Sequence, residues 1–143
     1  MLASYRDLEV WKLGIEIVQE VYRITRTMPS DERFGLTSQA RRAAVSVPAN
    51  IAEGRTQLTV GGYMRHLGIA AGSLAELETH LILANRLGLL DETVTAPALE
   101  QAGRLGRMLN TLLRRLRNRS DRMESHRPRY RRHPAPDTRH PSP

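Results

Sequence analysis

The chain has 143 residues, a length that one domain accounts for, and its 22 basic and 15 acidic side chains give a net charge of +7. The absence of cysteine excludes disulfides and thiolate metal sites. No apolar run approaches the roughly 20 residues that a membrane-spanning helix needs, and the N-terminal residues lack the pattern of a signal peptide. We therefore expect a soluble, cytoplasmic protein without a membrane partner.

Two apolar stripes run along the first predicted helix, which spans about residues 5–28 and ends before Pro29. A helix in a monomeric bundle needs one apolar face of about 100°, and two neighbouring stripes exceed it. The doubled pattern therefore favours self-association, with a helix buried on all sides as the alternative. The members are Leu8, Trp11, Ile15, Val18 and Tyr22 in one stripe and Val10, Gly14, Ile17, Val21, Ile24 and Met28 in the other.

The second predicted helix starts near Ser30, whose hydroxyl can cap it, with Asp31 and Glu32 favourably placed in the first turn. Pro48 lies inside the pattern and removes a backbone donor. We expect a kink and not a break over residues 44–48, because the apolar period resumes at Ile51. A polar connection follows over residues 54–62. The apolar positions are Leu36, Ala40, Ala43, Ala44, Val47 and Ile51.

The third helix is predicted over residues 61–87, where apolar residues recur every three or four positions without a fault. Gly88 followed by Leu89 predicts a Schellman-type stop. A fourth helix starts between Asp91 and Pro97, with Asp91 or Thr95 as its cap, and ends near Arg117. No segment alternates with a period of two, so we expect an all-α, up-down-up-down antiparallel four-helix bundle.

The C-terminal segment differs in composition from the rest of the chain. Residues 119–143 contain seven arginines against three acidic residues, a net charge of +4, and five prolines. Such a segment cannot bury enough apolar surface to order itself. The predicted organisation is a bundle over residues 1–118 and a disordered basic tail over residues 119–143.

Arginine dominates the basic residues, since Lys12 is the one lysine. Its forked donors suit phosphate, and neutralising phosphates releases counterions, so such a surface predicts salt-dependent nucleic-acid binding. The alternative is a solvated basic face that keeps the protein soluble. The candidate nucleic-acid-binding residues are Arg104, Arg107, Arg114, Arg115 and Arg117 of the fourth helix and Arg119, Arg122, Arg127, Arg129, Arg131 and Arg132 of the tail.

A polar set interrupts the second helix. Ser46, Asn50 and Glu53 share one helix face, and Arg41 and Arg42 lie a turn or more earlier. We expect a structural polar network in which a buried Glu53 pairs with an arginine from a neighbouring helix. A ligand or nucleic-acid site is the alternative.

No motif for catalysis, a metal or a cofactor is present in the sequence, and none of these is expected. Ser46 and Ser73 have no base at a motif spacing, and the glycines at 61 and 62 lack the lysine of a phosphate loop. His66 and His80 lie roughly 21 Å apart on one helix and cannot share a metal. Glu76 and His80 are interpreted as an ordinary surface pair.

One catalytic alternative is a helical-bundle RNase. Arg127 and His133 match the Arg-x(4–6)-His spacing of such enzymes. Pro128 lies between them, however, so no rigid helix presents the two side chains together.

Three segments resemble a known family: Asp7–Lys12, Gln39–Gly54 and Gly72–Leu81. They are similar to the 23S rRNA intervening-sequence proteins, often labelled S23, and the resemblance covers about residues 5–118. It implies a relation to the accessory protein of diversity-generating retroelements, a ring-like homopentamer that binds nucleic acid and a reverse transcriptase. On that basis we expect a ring-like homo-oligomer, with a pentamer favoured. RNA or DNA and a reverse transcriptase or another nucleic-acid enzyme are candidate partners.

The predicted function is that of a non-catalytic, oligomeric accessory or scaffold protein that binds nucleic acid through basic surfaces. A protein–protein adaptor whose charge is incidental is the main alternative, and the RNase is the other.

Overall fold

The structure is a computed structural model that describes residues 4–128. Within them the backbone is helical and contains no strand, which confirms the all-α prediction. The helical segments are a short 3-10 turn at Tyr5–Asp7, α1 at Glu9–Thr25, a second 3-10 turn at Ser30–Glu32, α2 at Leu36–Arg55, α3 at Val60–Arg86 and α4 at Glu92–Ser125.

The four α-helices form a four-helix bundle, as predicted. Each packs against the next along the chain, and α4 closes back on α1. Neighbouring helices run antiparallel, because their connections are too short to return a chain along the bundle. The core is aliphatic, with Ile17, Ile51, Leu77 and Leu105 each at most 1% exposed.

The first helix is shorter than predicted. Leu8 adopts an extended conformation and separates the first 3-10 turn from α1. At the other end α1 stops at Thr25, three residues before the predicted end. The side chains of α1 also exclude a helix buried on all sides within one chain, because Tyr22 remains 39% exposed.

The start of α2 corrects a second prediction. Ser30 opens a 3-10 turn and does not cap α2, which begins six residues later at Leu36. Gly35 occupies the N-cap position of α2. The Glu32 carboxylate satisfies a backbone donor of the first turn, since its Oε2 accepts the Leu36 N–H at 3.1 Å. The helix continues unbroken through Pro48 to Arg55, so the connection to α3 is shorter than expected.

The third helix matches its prediction within one residue at each end. Thr59 caps it, accepting the Gly62 N–H at 3.0 Å. The predicted Schellman stop is confirmed by a positive φ of 72° at Gly88 and by the Leu89 N–H, which donates to the Ala84 carbonyl at 2.9 Å.

Contrary to the sequence-based expectation, α3 is long and apolar enough to cross a membrane by length and composition. Part of its apolar surface is exposed, at Ile69, Ile82 and Leu83, and part is buried in the bundle. Leu67, Leu74, Leu77 and Leu81 are each at most 1% exposed and fill the centre of the bundle.

The fourth helix is longer than predicted. It begins at Glu92, with Asp91 at the cap position, and runs to Ser125, eight residues beyond Arg117. The first seven residues assigned to the tail are therefore helical. Apolar periodicity marks the buried length of a helix, and α4 continues past that length as an exposed helix. Residues 129–143, the remainder of the predicted tail apart from 126–128, lie outside the described residues, and their disorder stays a prediction.

Candidate nucleic-acid interface

A line of exposed arginines follows the solvent side of α4. Arg104, Arg107, Arg115 and Arg122 fall on one stripe of the helix, and all four are exposed. The opposite side of α4 packs into the core, where Leu105 and Leu109 are fully buried. At ~1.5 Å per residue the stripe extends roughly 27 Å. We call this stripe, with its flanking arginines, the α4 basic face.

The other candidate arginines of the described chain flank this stripe. Arg114 and Arg117 lie beside it on α4, Arg119 lies in the helical extension, and Arg127 follows the end of the helix. All of them are exposed. Arg129, Arg131 and Arg132 lie outside the described residues, as does His133 of the suggested RNase pair.

The α4 basic face is weakly compensated by acidic groups. Residues 104–127 contain eight arginines but only two acidic residues, Asp121 and Glu124, which leaves a net charge of +6. Among residues 4–128 none of these arginines has a carboxylate within ion-pair distance. The guanidinium groups are therefore available to an external anion.

A groove of about 420 Å³ borders the α4 basic face, between α4 and the start of α1. Leu8, Val10 and Met108 contribute apolar walls, and the charged side chains of the groove are two arginines and one carboxylate: Arg107, Arg115 and Glu9. Arginine at the edge of an apolar groove is suited to hold a phosphate while sugar carbons contact the wall.

The predicted polar network is present in part. The hydroxyl oxygens of Ser46 on α2 and Ser73 on α3 lie 2.8 Å apart. The Asn50 amide donates to the Ser46 carbonyl at 2.8 Å and to the Ser46 hydroxyl at 3.0 Å. Its oxygen lies 3.4 Å from His66 Nδ1. Ser46 and Asn50 thus connect α2 to α3, as structural groups do.

The charged members of that set behave differently from the prediction. The Glu53 side chain is 62% exposed, and its Oε2 lies 3.9 Å from His66 Nδ1. The expected buried pair of Glu53 with an arginine is wrong, because Glu53 lies at the solvent edge of the helix pair. Arg41 contacts α1 instead, where its Nε donates to Thr25 Oγ1 at 2.9 Å. Arg42 is exposed.

The interpretation of His80 and Glu76 as an ordinary surface pair is wrong, because both histidines of α3 are buried. His66 is 9% exposed and His80 is 8% exposed, so His80 and Glu76 do not form an ordinary surface pair, although their side chains lie 3.4 Å apart. The sequence contains a signal for this burial, because the two histidines belong to a set of α3 residues that recur every three or four positions. They are His66, Ala70, Ser73, Leu77, His80 and Ala84.

The first apolar stripe of α1 is only partly covered within one chain. Trp11, Ile15 and Val18 are half-buried and Tyr22 is exposed. Val45 of α2, 42% exposed, lies beside Val18 and Tyr22 along a groove of about 530 Å³. The second stripe is buried in the core except at Met28, which is half-buried and lies beyond the end of α1.

The described part of the chain offers no metal site. Within it, no group of three or more His, Asp or Glu side chains is arranged to hold a metal ion.

These features define an antiparallel four-helix bundle with one basic helix face and one partly covered apolar stripe. The profile of the 23S rRNA-intervening sequence proteins matches residues 6–111. The chain therefore belongs to that family.

A solved structure supports the fold. It is a protein of unknown function from the S23 ribosomal protein family of Bacteroides thetaiotaomicron, 18% identical, with a TM-score of 0.68. The similarity covers 73% of this chain and 97% of that one. No curated protein matches the sequence.

Proposed function

We propose that this chain is a non-catalytic, oligomeric scaffold that binds nucleic acid through the α4 basic face, as an accessory to a nucleic-acid enzyme such as a reverse transcriptase. The observation that carries the proposal is the run of eight exposed arginines between 104 and 127, with no carboxylate of the described residues in ion-pair distance.

The chemistry of that face favours the nucleic-acid backbone over the bases. Arginine binds phosphate oxygens with forked, charge-assisted hydrogen bonds. No phenylalanine, tyrosine or tryptophan lies between residues 104 and 127, so the face offers little surface for base stacking. Backbone contacts position a nucleic acid but carry no sequence information. Binding at this face is therefore independent of sequence and sensitive to salt.

The partly covered stripe of α1 supports self-association. Ile15 and Val18, both half-buried, leave apolar surface that a second copy would bury. An oligomer repeats the α4 basic face in every copy, and multivalency raises a weak affinity.

Light scattering tests the self-association. The unmodified chain should have a mass several times that of one chain, with five copies favoured. Ile15→Glu places a charge on the stripe and should lower the mass. Leu87→Glu, at a side chain that is already 65% exposed, is the control and should leave it unchanged. A single-chain mass for the unmodified protein contradicts the oligomer.

Nucleic-acid binding is tested by fluorescence anisotropy at low salt with a labelled oligonucleotide. The variant Arg107→Gln/Arg115→Gln removes two charges from the α4 basic face and should weaken binding. Arg65→Gln/Arg86→Gln removes two exposed charges from α3 and is the matched control, with a smaller effect. Equal losses in the two variants would point to net charge alone, and no binding by the unmodified chain would refute the proposal.

The partly covered apolar stripe also suits a second function, that of a protein–protein adaptor. An adaptor predicts a stable partner protein in a pull-down, release of that partner by Ile15→Glu, and no salt-dependent binding of oligonucleotides. The anisotropy experiment therefore separates the two functions.

A further inference from the structure

A second arginine-rich groove lies on the α1–α2 side of the bundle. It has a volume of about 580 Å³ and is formed by the end of α1, the start of α2 and the segment between them. α2 is the helix diagonal to α4 and does not contact it. We call it the α1–α2 groove. The lining residues on which the inference depends are Tyr22, Arg33, Phe34, Arg41 and Arg42.

The groove has an exposed aromatic ring. Phe34 is 89% exposed, and Tyr22 lies in the same groove at 39% exposure. The Arg33 guanidinium lies 5.5 Å from the centre of the Phe34 ring, and that of Arg41 lies 4.5 Å from the Tyr22 ring. A phenyl ring with this exposure contributes little to the core, and it has the flat surface on which a base stacks.

The charge of the groove is positive. Three arginines line it, and no acidic side chain does. Among residues 4–128, none of Arg33, Arg41 and Arg42 is in an ion pair. Three guanidinium groups around one concave surface attract an anion, and a phosphate matches their donor geometry.

We propose that the α1–α2 groove binds a nucleotide within a single-stranded nucleic acid. The base stacks on Phe34, and the adjoining phosphate lies against Arg33 and Arg42. The groove thus supplies the aromatic contact that the α4 basic face lacks. The inference rests on the proposed function in that both need a nucleic acid, but it concerns a different surface and predicts a preference for unpaired bases.

Anisotropy with a labelled thymidine 12-mer and with a 12-base-pair duplex, on the full chain, tests the proposal. Phe34→Leu keeps an apolar side chain but removes the ring, and it should weaken single-strand binding roughly five- to 100-fold while leaving duplex binding unchanged. Leu87→Ala, at another exposed apolar side chain, is the control and should bind as the unmodified chain does. Arg33→Gln/Arg42→Gln should also weaken single-strand binding more than Arg65→Gln/Arg86→Gln.

The outcomes separate this inference from the proposed function. If Phe34→Leu binds the 12-mer normally while Arg107→Gln/Arg115→Gln binds it weakly, the groove inference is wrong and the α4 basic face stands. No binding of either oligonucleotide overturns both. Competition by thymidine monophosphate at the concentration of the 12-mer would assign the groove to free nucleotides instead. A fall in mass with Phe34→Leu, at unchanged binding per chain, would make the groove a contact between copies and also overturn the inference.

Discussion

Gly54 of α2 lies so close to His66 of α3 that a Cβ at position 54 would be 2.8 Å from the His66 Cβ and 3.1 Å from Tyr63 Cδ2. The two helices approach each other at this point, and the missing side chain of Gly54 leaves room for those of His66 and Tyr63. The same seam contains the hydrogen bonds of Ser46 and Asn50. A residue without a Cβ at position 54 is therefore needed for α2 and α3 to pack this closely.

Gly54→Ala should destabilise the protein by about 1–3 kcal/mol, because the new methyl group overpacks the seam by more than the helix propensity of alanine regains. Gly68→Ala is the matched control, since an added Cβ there has no neighbour within 4 Å. That variant should stabilise α3 by up to ~1 kcal/mol. Urea unfolding at one fixed protein concentration measures both changes. A Gly54→Ala protein more stable than the unmodified chain would contradict the close packing.

Asn50→Ala should lower the free energy of unfolding by about 1–2 kcal/mol. It removes the amide that donates to Ser46 and faces His66, and it leaves half-buried polar groups without their partner. Asn110→Ala changes an exposed asparagine of α4 and should stay within roughly 0.5 kcal/mol of the unmodified chain. Equal effects of the two substitutions in the same unfolding experiment would show that the network contributes nothing.

The helical extension of α4 beyond Asn118 should strengthen the binding of nucleic acid. A chain that ends at Pro128 keeps α4 whole, whereas one that ends at Asn118 loses the arginines at 119, 122 and 127. At low salt we expect the chain ending at Asn118 to bind an oligonucleotide more weakly than the chain ending at Pro128. Comparison of the latter with the full chain measures the contribution of residues 129–143. If the two shortened chains bind the oligonucleotide with identical affinities, the extension is not part of the interface.

Arg23 donates to Glu20 through Nε at 3.0 Å and Nη2 at 2.6 Å, and this hydrogen bonding lowers the pKa of the Glu20 carboxyl from its usual 4.5. A lowered pKa means that the pair stabilises the fold above the pKa of the unfolded carboxyl and loses this contribution as the pH falls through the folded value. Glu20→Gln should therefore slightly destabilise the protein at pH 7 and not at pH 2. Thermal unfolding at the two pH values checks this, and an equal effect at both would exclude the carboxylate as the cause.

The fold could be predicted because its apolar periods are long and regular. The bounds of α3 were predicted within one residue, and its Schellman stop follows from Gly88. The end of α4 was missed because an exposed helix has no apolar period to mark it. The predicted start of α2 at Ser30 is wrong because Ser30–Glu32 forms a separate 3-10 turn before the helix. Glu32 of that turn accepts the Leu36 N–H at the start of α2.

The candidate sites were harder to predict, for a different reason. The α4 basic face lies on one helix, so its arginines could be found by spacing alone. The α1–α2 groove depends on Tyr22 and Phe34, which lie on separate segments and meet only when α1 packs on α2. The exposure of Glu53 likewise depends on where along α2 the packing of α3 begins. The spacing of residues in the sequence does not show that position.

The most direct test of nucleic-acid binding at the α4 basic face is the salt dependence of the affinity. The logarithm of the binding constant for a labelled duplex should fall linearly with the logarithm of salt concentration, since each neutralised phosphate releases counterions. The Arg107→Gln/Arg115→Gln variant should reduce the slope by about one to two, while Arg65→Gln/Arg86→Gln should leave it unchanged. A slope near zero for the unmodified chain, or equal slopes for all three proteins, would contradict the account.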